Sequence, residues 1–237
     1  MREEKQNGMR KEECGKMPVG MREERYQGAI FDLDGTLLDS MWAWTKVDEV
    51  FLAKRGIAMP SDYGAAIAPL GFEKAAGYTI ERFGLKESVE AILKEWDELV
   101  RYEYANEVAL KPGAYEYLKK LKNSGIRIAA ATASKRDLFL PTLRRNGILE
   151  WFDAIVTTDE VARGKGWPDV YLEAAKRLAL APEACLVFED IIAGVKAASD
   201  GGFDVIGVYD ASSASDEERI RALTVRYITD FSQMLRP

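Results

Sequence analysis

Two carboxylates one residue apart, Asp32 and Asp34, follow the short apolar run Gly28-Ala29-Ile30-Phe31 and precede Gly35 and Thr36. A run of that length and character is the pattern of a buried parallel strand. Side chains on a strand alternate faces, so acids at i and i+2 leave its end pointing the same way, and a glycine then permits a sharp turn. Two acids aimed into one pocket repel each other unless a cation lies between them or one of them keeps a proton. The pair therefore predicts a metal. By itself Asp-Gly-Thr is also an ordinary turn sequence, so the weight falls on what else the chain supplies.

Three further polar groups lie at or beyond the ends of apolar runs. Ile126 to Ala131 leads into Thr132-Ala133-Ser134. There a hydroxyl and the backbone N–H groups opening a helix suit a phosphoryl oxygen, although Thr132 alone reads more readily as a helix cap than as a ligand. Lys165 stands between glycines in Arg163-Gly164-Lys165-Gly166-Trp167-Pro168-Asp169; taken alone, a loop lysine is simply solvated. Cys185 to Phe188 ends in the consecutive acids Glu189 and Asp190. These are dipole partners of a helix start if nothing converges on them, and hard oxygen ligands for magnesium if Asp32 and Asp34 do.

What is missing narrows the chemistry. The 237 residues include no histidine, which removes phosphohistidine chemistry, Ser-His-Asp triads and His-ligated zinc. Neither Cys14 nor Cys185 is followed six positions later by arginine, so the phosphate loop of cysteine-dependent phosphatases is absent. Two cysteines imply no disulfide framework, and Cys185 reads as a small buried hydrophobe. A net charge of -6 argues against bulk nucleic-acid binding, so an anionic substrate needs a local basic site. No stretch has the length of a membrane span and no secretory signal core opens the chain, which gives the expectation of a cytoplasmic protein.

The elements that must position these groups follow from periodicity. Residues 1–26, in which Met-Arg-Glu-Glu occurs at Met1 and again at Met21, read as a solvated, mobile extension. Trp44, Val47, Phe51 and Leu52 mark a helix from Met41 to Arg55, capped by Asp39 or Ser40 and stopped by Gly56. Ala65 to Phe83 reads as shorter helices broken by Pro69, Gly71 and Gly77, and Val89, Ile92, Leu93, Trp96, Leu99 and Val100 mark another helix. Residues 42–109 thus form an expected all-helical lobe over the C-terminal edge of the sheet, with its aromatics read first as lobe core. From Lys111 onward strands and helices alternate, the signature of a parallel sheet with crossover helices. Strands are expected at 126–131, 154–157, 186–189 and 205–208, with an edge strand at 225–228. Helices are expected near 112–122, 168–179, 192–200 and 215–223, the last opened by a Ser215 to Glu218 capping box. The fold class is α/β: a parallel Rossmannoid core (27–41 and 110–237) with an inserted helical cap domain. Ligands in such sheets gather at the strands' carboxyl ends.

The string Asp32 to Ser40, then Thr132, Lys165 and Glu189-Asp190, in that order at strand ends over residues 28 to about 210, resembles the four motifs of the haloacid dehalogenase superfamily of phosphotransferases. The insertion resembles its alpha-helical cap of the first type, as in the branch of beta-phosphoglucomutase and small phosphatases. The resemblance implies Asp32 as nucleophile, forming an aspartyl-phosphate, and Asp34 as general acid and then base. It implies phosphate contacts from Leu33, Thr132, Ala133 and Lys165, and Mg2+ held by Asp32, the Asp34 carbonyl, Asp190 and Glu189. Ser134, Trp44 and Lys74 are candidate substrate contacts, and Lys74 and Arg82 are candidates for a second phosphate. The chain departs from the pattern at Gly166-Trp167, where relatives commonly carry proline and a smaller residue, and at Ile191, where they often carry Ser or Thr. Trp44 stands about where the hexose-phosphate mutase branch carries histidine. The implied activity is a magnesium-dependent phosphatase acting on a small phosphorylated metabolite, a sugar phosphate among the candidates. A hexose-phosphate mutase and a non-catalytic binding protein on the same fold are the alternatives. The dehalogenase branch lacks the second acid, here Asp34. Neither the substrate nor the oligomeric state follows from the sequence.

Overall fold

The computed structural model describes residues 25–68 and 70–235. The expectations for residues 1–24, Cys14 included, and for a helix break at Pro69 lie outside the described residues. Eight strands are found among the described residues: β1 (Gly28–Phe31), β2 (Leu38–Asp39), β3 (Ala109–Leu110), β4 (Arg127–Thr132), β5 (Ala154–Thr157), β6 (Cys185–Glu189), β7 (Asp204–Val208) and β8 (Arg226–Ile228). Six of them form one sheet in the order β5-β4-β1-β6-β7-β8, with every pairing parallel. β1 lies inside this sheet and is buried along its whole length, as its apolar run requires. Phe31 pairs with Ala130 on one side and Phe188 on the other. The three strands therefore end nearly level, and the residues that follow them emerge side by side.

Alternation along the strands divides the core. Phe31 and Phe188 stack at 4.5 Å between ring centroids, with Tyr117 and Phe231 closing the cluster on one face of the sheet. Ile30 and Val187 face the other side with Val156, Tyr171 and Val195. This is the period-two pattern of a two-sided sheet.

Between β1 and β4 the chain makes a long helical excursion: α1 (Trp42–Ala53), α2 (Tyr63–Ile67), α3 (Phe72–Phe83) and α4 (Val89–Asn106). Its neck is the antiparallel pair β2–β3, where Leu38 meets Leu110. Then follow α5 (Ala114–Asn123), α6 (Arg136–Arg145), α7 (Asp169–Arg177), α8 (Ile192–Asp200) and α9 (Glu217–Leu223). α4 does not stay within the excursion. Its C-terminal end is fastened to α6, where the Thr142 hydroxyl donates to the Tyr104 carbonyl (2.7 Å) and Arg145 donates to the Val108 carbonyl just beyond the helix.

Local signals fail in four places. α3 runs unbroken through Gly77, around which a side chain would meet nothing within 4 Å, so one glycine lowers helix propensity there without ending the helix. α2 opens at Tyr63, ahead of the expected Ala65. The N-cap of α1 is Met41, with no side-chain cap, because Ser40 donates instead to the Asp34 carboxylate at 2.7 Å, a stronger acceptor than a side chain usually meets. The Ser215–Glu218 capping box does not form: residues 211–216 make a 3-10 turn capped by Asp210, which accepts from the Ser212 N–H at 2.9 Å, and α9 then starts at Glu217 without a side-chain cap. Among the described residues no helix is long and apolar enough to cross a membrane. Cys185 is buried within β6, and burial pushes its thiol up to about 11.

Candidate active site

The Asp32 N–H donates to the Phe188 carbonyl at 3.0 Å, which carries the β1–β6 pairing one residue past the strand and fixes where Asp32 leaves it. The Leu33 carbonyl then accepts the N–H groups of Leu37 (2.9 Å) and Leu38 (2.8 Å), folding the chain back on itself. The fold-back turns at Gly35, whose φ is 80° and where a Cβ would fall 2.4 Å from Asp190 Oδ2. Both the conformation and the contact exclude a side chain. Thr36 reaches from the same turn and donates to Asp190 Oδ1 at 2.8 Å.

At the ends of β1 and β6, charges are packed out of water. Asp32, Glu189 and Asp190 are all buried, and they offer carboxylate oxygens within 4.8 Å of one another. Lys165 enters from the loop before α7 and pairs with Asp32 Oδ1 and, at 2.7 Å, with Glu189 Oε1. Both oxygens of Glu189 have partners: Oε1 also accepts from the Tyr171 hydroxyl (2.9 Å) and Oε2 from the Asp190 N–H (2.7 Å). A Cβ on Gly194 would lie 1.8 Å from Glu189 Oε1, so α8 can pass only as glycine. Burial, opposed by Lys165 and reinforced by Glu189, pushes the Asp32 carboxyl well above the ordinary range. Burial and the neighbouring acids do the same to Asp190. Burial works against the charge on Lys165, but Asp32, Glu189 and Asp190 outweigh it and hold the ammonium well above its usual value. One atom is left over: Asp32 Oδ2 is buried with no hydrogen-bond partner. Three carboxylates this close together, one of them with an unsatisfied oxygen, suit a divalent cation.

Asp34 is arranged differently. It is half-buried, and its Oδ1 accepts from the Ser40 hydroxyl (2.7 Å) and from the Tyr104 hydroxyl (2.6 Å). Both acids open into a cavity of about 520 Å³. Its floor includes Asp32, Asp34, Thr132, Ala133, Ser134, Lys165 and Asp190; the helical excursion supplies Trp44, Phe72, Leu93, Trp96, Val100 and Arg101. Thr132 is buried and accepts from the Ser134 N–H at 3.0 Å, shaping the turn into α6. Trp44 and Phe72 pack at 5.5 Å between centroids.

The structure thus brings together Asp32, Asp34, Thr132, Ala133, Ser134, Lys165, Asp190 and Trp44 around one cavity, with Glu189 beneath it. Leu33 is buried under the floor and takes part only through the turn. Lys74 is not brought in: it is exposed on α3, away from the lining. Arg82 is also elsewhere, held by Asp62 and Tyr78 at 2.8 Å each. Sequence reasoning missed Tyr104, Tyr171, Phe72 and Arg101. For Tyr104 a signal existed: Trp96, Val100 and Tyr104 recur every four residues and so share one face of α4. That stripe reads equally as lobe core.

The haloacid dehalogenase-like hydrolase family model matches residues 26–202. The chain belongs to the haloacid dehalogenase-like hydrolases. Within this family it is 29% identical over 180 residues to the phosphorylated carbohydrates phosphatase of Thermotoga maritima, covering 76% of this chain and 83% of that one. It is 32% identical over 187 residues to the fructose-1-phosphate phosphatase of Escherichia coli, covering 78% and 97% respectively. Among solved structures, a candidate beta-phosphoglucomutase from Thermotoga maritima matches with a TM-score of 0.76 at 28% identity, over 85% of this chain and 94% of that chain. The α/β class and the parallel sheet expected from sequence are those of this hydrolase family.

Proposed function

We propose that this hydrolase is a phosphatase acting on a small phosphorylated metabolite, with sugar phosphates as the first class to test, and that it works through an aspartyl-phosphate on Asp32. The observation that carries the reading is the state of Asp32: buried, one oxygen paired with Lys165, the other without a partner, at the floor of a cavity that also contains a second acid. Asp32 attacks phosphorus, a P–O bond to the carboxylate forms, and the bond to the leaving oxygen breaks with its electron pair staying on that oxygen. Asp34 gives the leaving oxygen its proton, then takes one from the water that releases phosphate from Asp32. Lys165 neutralises Asp32 so that an anionic phosphoryl group can approach, and the Thr132 hydroxyl with the N–H groups opening α6 bind phosphoryl oxygens. Asp32, Asp190 and Glu189, with the Asp34 carbonyl, would hold a Mg2+ ion that supplies further positive charge to the transferring group. The apolar walls from α1, α3 and α4 shield the leaving group from water.

The solved neighbour keeps a mutase reading in view, in which the phosphoryl group returns to a sugar. The positions of Lys74 and Arg82 weigh against it, since neither lines the cavity. Arg101 does line it but is already paired with Asp97 (2.5 Å) and Asp137 (2.6 Å), leaving Lys135, exposed at the rim, as the further lining cation besides Lys165 among the described residues.

The test is incubation with sugar phosphates and p-nitrophenyl phosphate, in magnesium and in EDTA, measuring free phosphate and isomerised sugar together. Magnesium-dependent phosphate release that falls at least about a thousand-fold in Asp32→Asn is expected. Isomerisation with little free phosphate would replace the phosphatase with a mutase, and full activity in Asp32→Asn would remove the aspartyl-phosphate.

A further inference from the structure

The acid Asp34 is held from behind by a residue of α4. Tyr104 is buried and lies outside the cavity lining, yet its hydroxyl donates to Asp34 Oδ1 at 2.6 Å, beside Ser40 at 2.7 Å on the same oxygen. No hydrogen bond reaches Oδ2 of Asp34 among the described residues. A carboxyl oxygen that accepts two donors has both lone pairs engaged and cannot also carry a proton. The two donors come from different parts of the fold. Ser40 stands between β2 and α1, and Tyr104 stands on a helix whose backbone is anchored there by the Thr142 hydroxyl at 2.7 Å. One turn and two turns earlier on the same helical face, Val100 and Trp96 wall the cavity.

We propose that Tyr104 is a positioning residue which, with Ser40, fixes Oδ1 of Asp34 and leaves Oδ2 as the oxygen that exchanges a proton with the leaving group. The inference rests on the phosphatase reading of the site and adds to it which oxygen acts and what aims it. In the first half-reaction the Oδ2–H bond breaks as the new O–H bond on the leaving oxygen forms. Without Tyr104 the carboxyl can rotate about its Cβ–Cγ bond and present either oxygen. In that half-reaction the cost falls on substrates whose leaving oxygen needs the proton, and spares those that depart as stable anions.

The experiment compares Tyr104→Phe with the unaltered protein, in magnesium, on phenyl phosphate and p-nitrophenyl phosphate. The two have nearly the same shape, but phenolate is a much stronger base than nitrophenolate. The variant should lose at least about 10-fold in kcat/KM on phenyl phosphate and less than about 3-fold on p-nitrophenyl phosphate, since kcat/KM ends at departure of the leaving group and leaves out the water step the two substrates share, with the thermal midpoint close to the parent value. Equal losses in kcat/KM on both substrates, or none, would overturn the positioning role while leaving the phosphatase intact. An unaltered protein that releases phosphate from neither substrate would instead remove the phosphatase reading, and this inference with it.

Discussion

At the strand ends, Asp32, Glu189 and Asp190 are taken out of water in contact with Lys165, Tyr171, Thr36 and a main-chain N–H. On α1, by contrast, Asp48 is half-buried with neither a cation nor a hydrogen-bond donor against it among the described residues, and burial alone pushes its carboxyl up to about 7. The physical penalty is the same in kind, since a carboxylate loses hydration. What differs is the response. At the strand ends Lys165, Thr36 and other donors work against the rise that burial imposes on Asp32 and Asp190, and one buried oxygen of Asp32 is left without a partner, whereas nothing opposes burial at Asp48. Buried carboxylates are matched at the floor of the cavity and left unmatched on α1.

The sharpest way to break this contrast is to remove the matching cation. Lys165→Met leaves three buried carboxylates with no ammonium among them. Phosphate release should fall about a thousand-fold, and urea unfolding in EDTA at neutral pH should show a loss of roughly 3–5 kcal/mol. Because the stranded acids bind protons more tightly folded than unfolded, that loss should shrink as the pH is lowered. A variant as stable as its parent in EDTA would mean that the cluster does not depend on Lys165.

A smaller effect tests the packing that brings the acids together. Gly35→Ala forces a side chain into a positive φ and towards Asp190 Oδ2. Thermal unfolding should register a loss of more than about 1 kcal/mol, together with reduced activity. Unchanged unfolding and activity would show that the turn has room to relax.

The smallest effect has the opposite sign. The folded-state pKa of Asp48 is raised from 3.8 to about 7, so the stability it contributes is fully present below the ordinary carboxylate range and is lost as the pH rises through about 7. Asp48→Asn should therefore raise the melting temperature by about 2–4 °C at pH 8 and by less than about 1 °C at pH 4, partial exposure trimming the gain. Equal melting curves at both pH values would show that Asp48 is adequately hydrated where it sits.

The strands and the acids at their ends were legible because an apolar run followed by a turn is a local signal, and the strand ends at Phe31, Thr132 and Glu189 obey it. Lys165 was legible as a candidate, but its pairing with Glu189 was not, since nothing local says which of several carboxylates a loop lysine will reach. Ser40 was read as a cap because capping is what serine does at that position in isolation; the Asp34 carboxylate, brought within 2.7 Å, won. Tyr104 lies 70 positions from Asp34, and its spacing with Trp96 and Val100 is the same whether that face meets a core or a cavity. Lys74 was chosen by charge, and α3 turns it towards solvent.

α4 also sets a geometric rule for access to the cavity. The helix is fixed near Tyr104 by α6, and Leu93 lies eleven residues earlier on the cavity wall, about 16 Å along the axis at 1.5 Å per residue. A tilt of about 10° around the fixed end would carry Leu93 about 3 Å while moving the Tyr104 hydroxyl only a small fraction of that. Such a tilt would change the width of the cavity at the far end of the lever, while at its pivot Asp34 would keep the same aim.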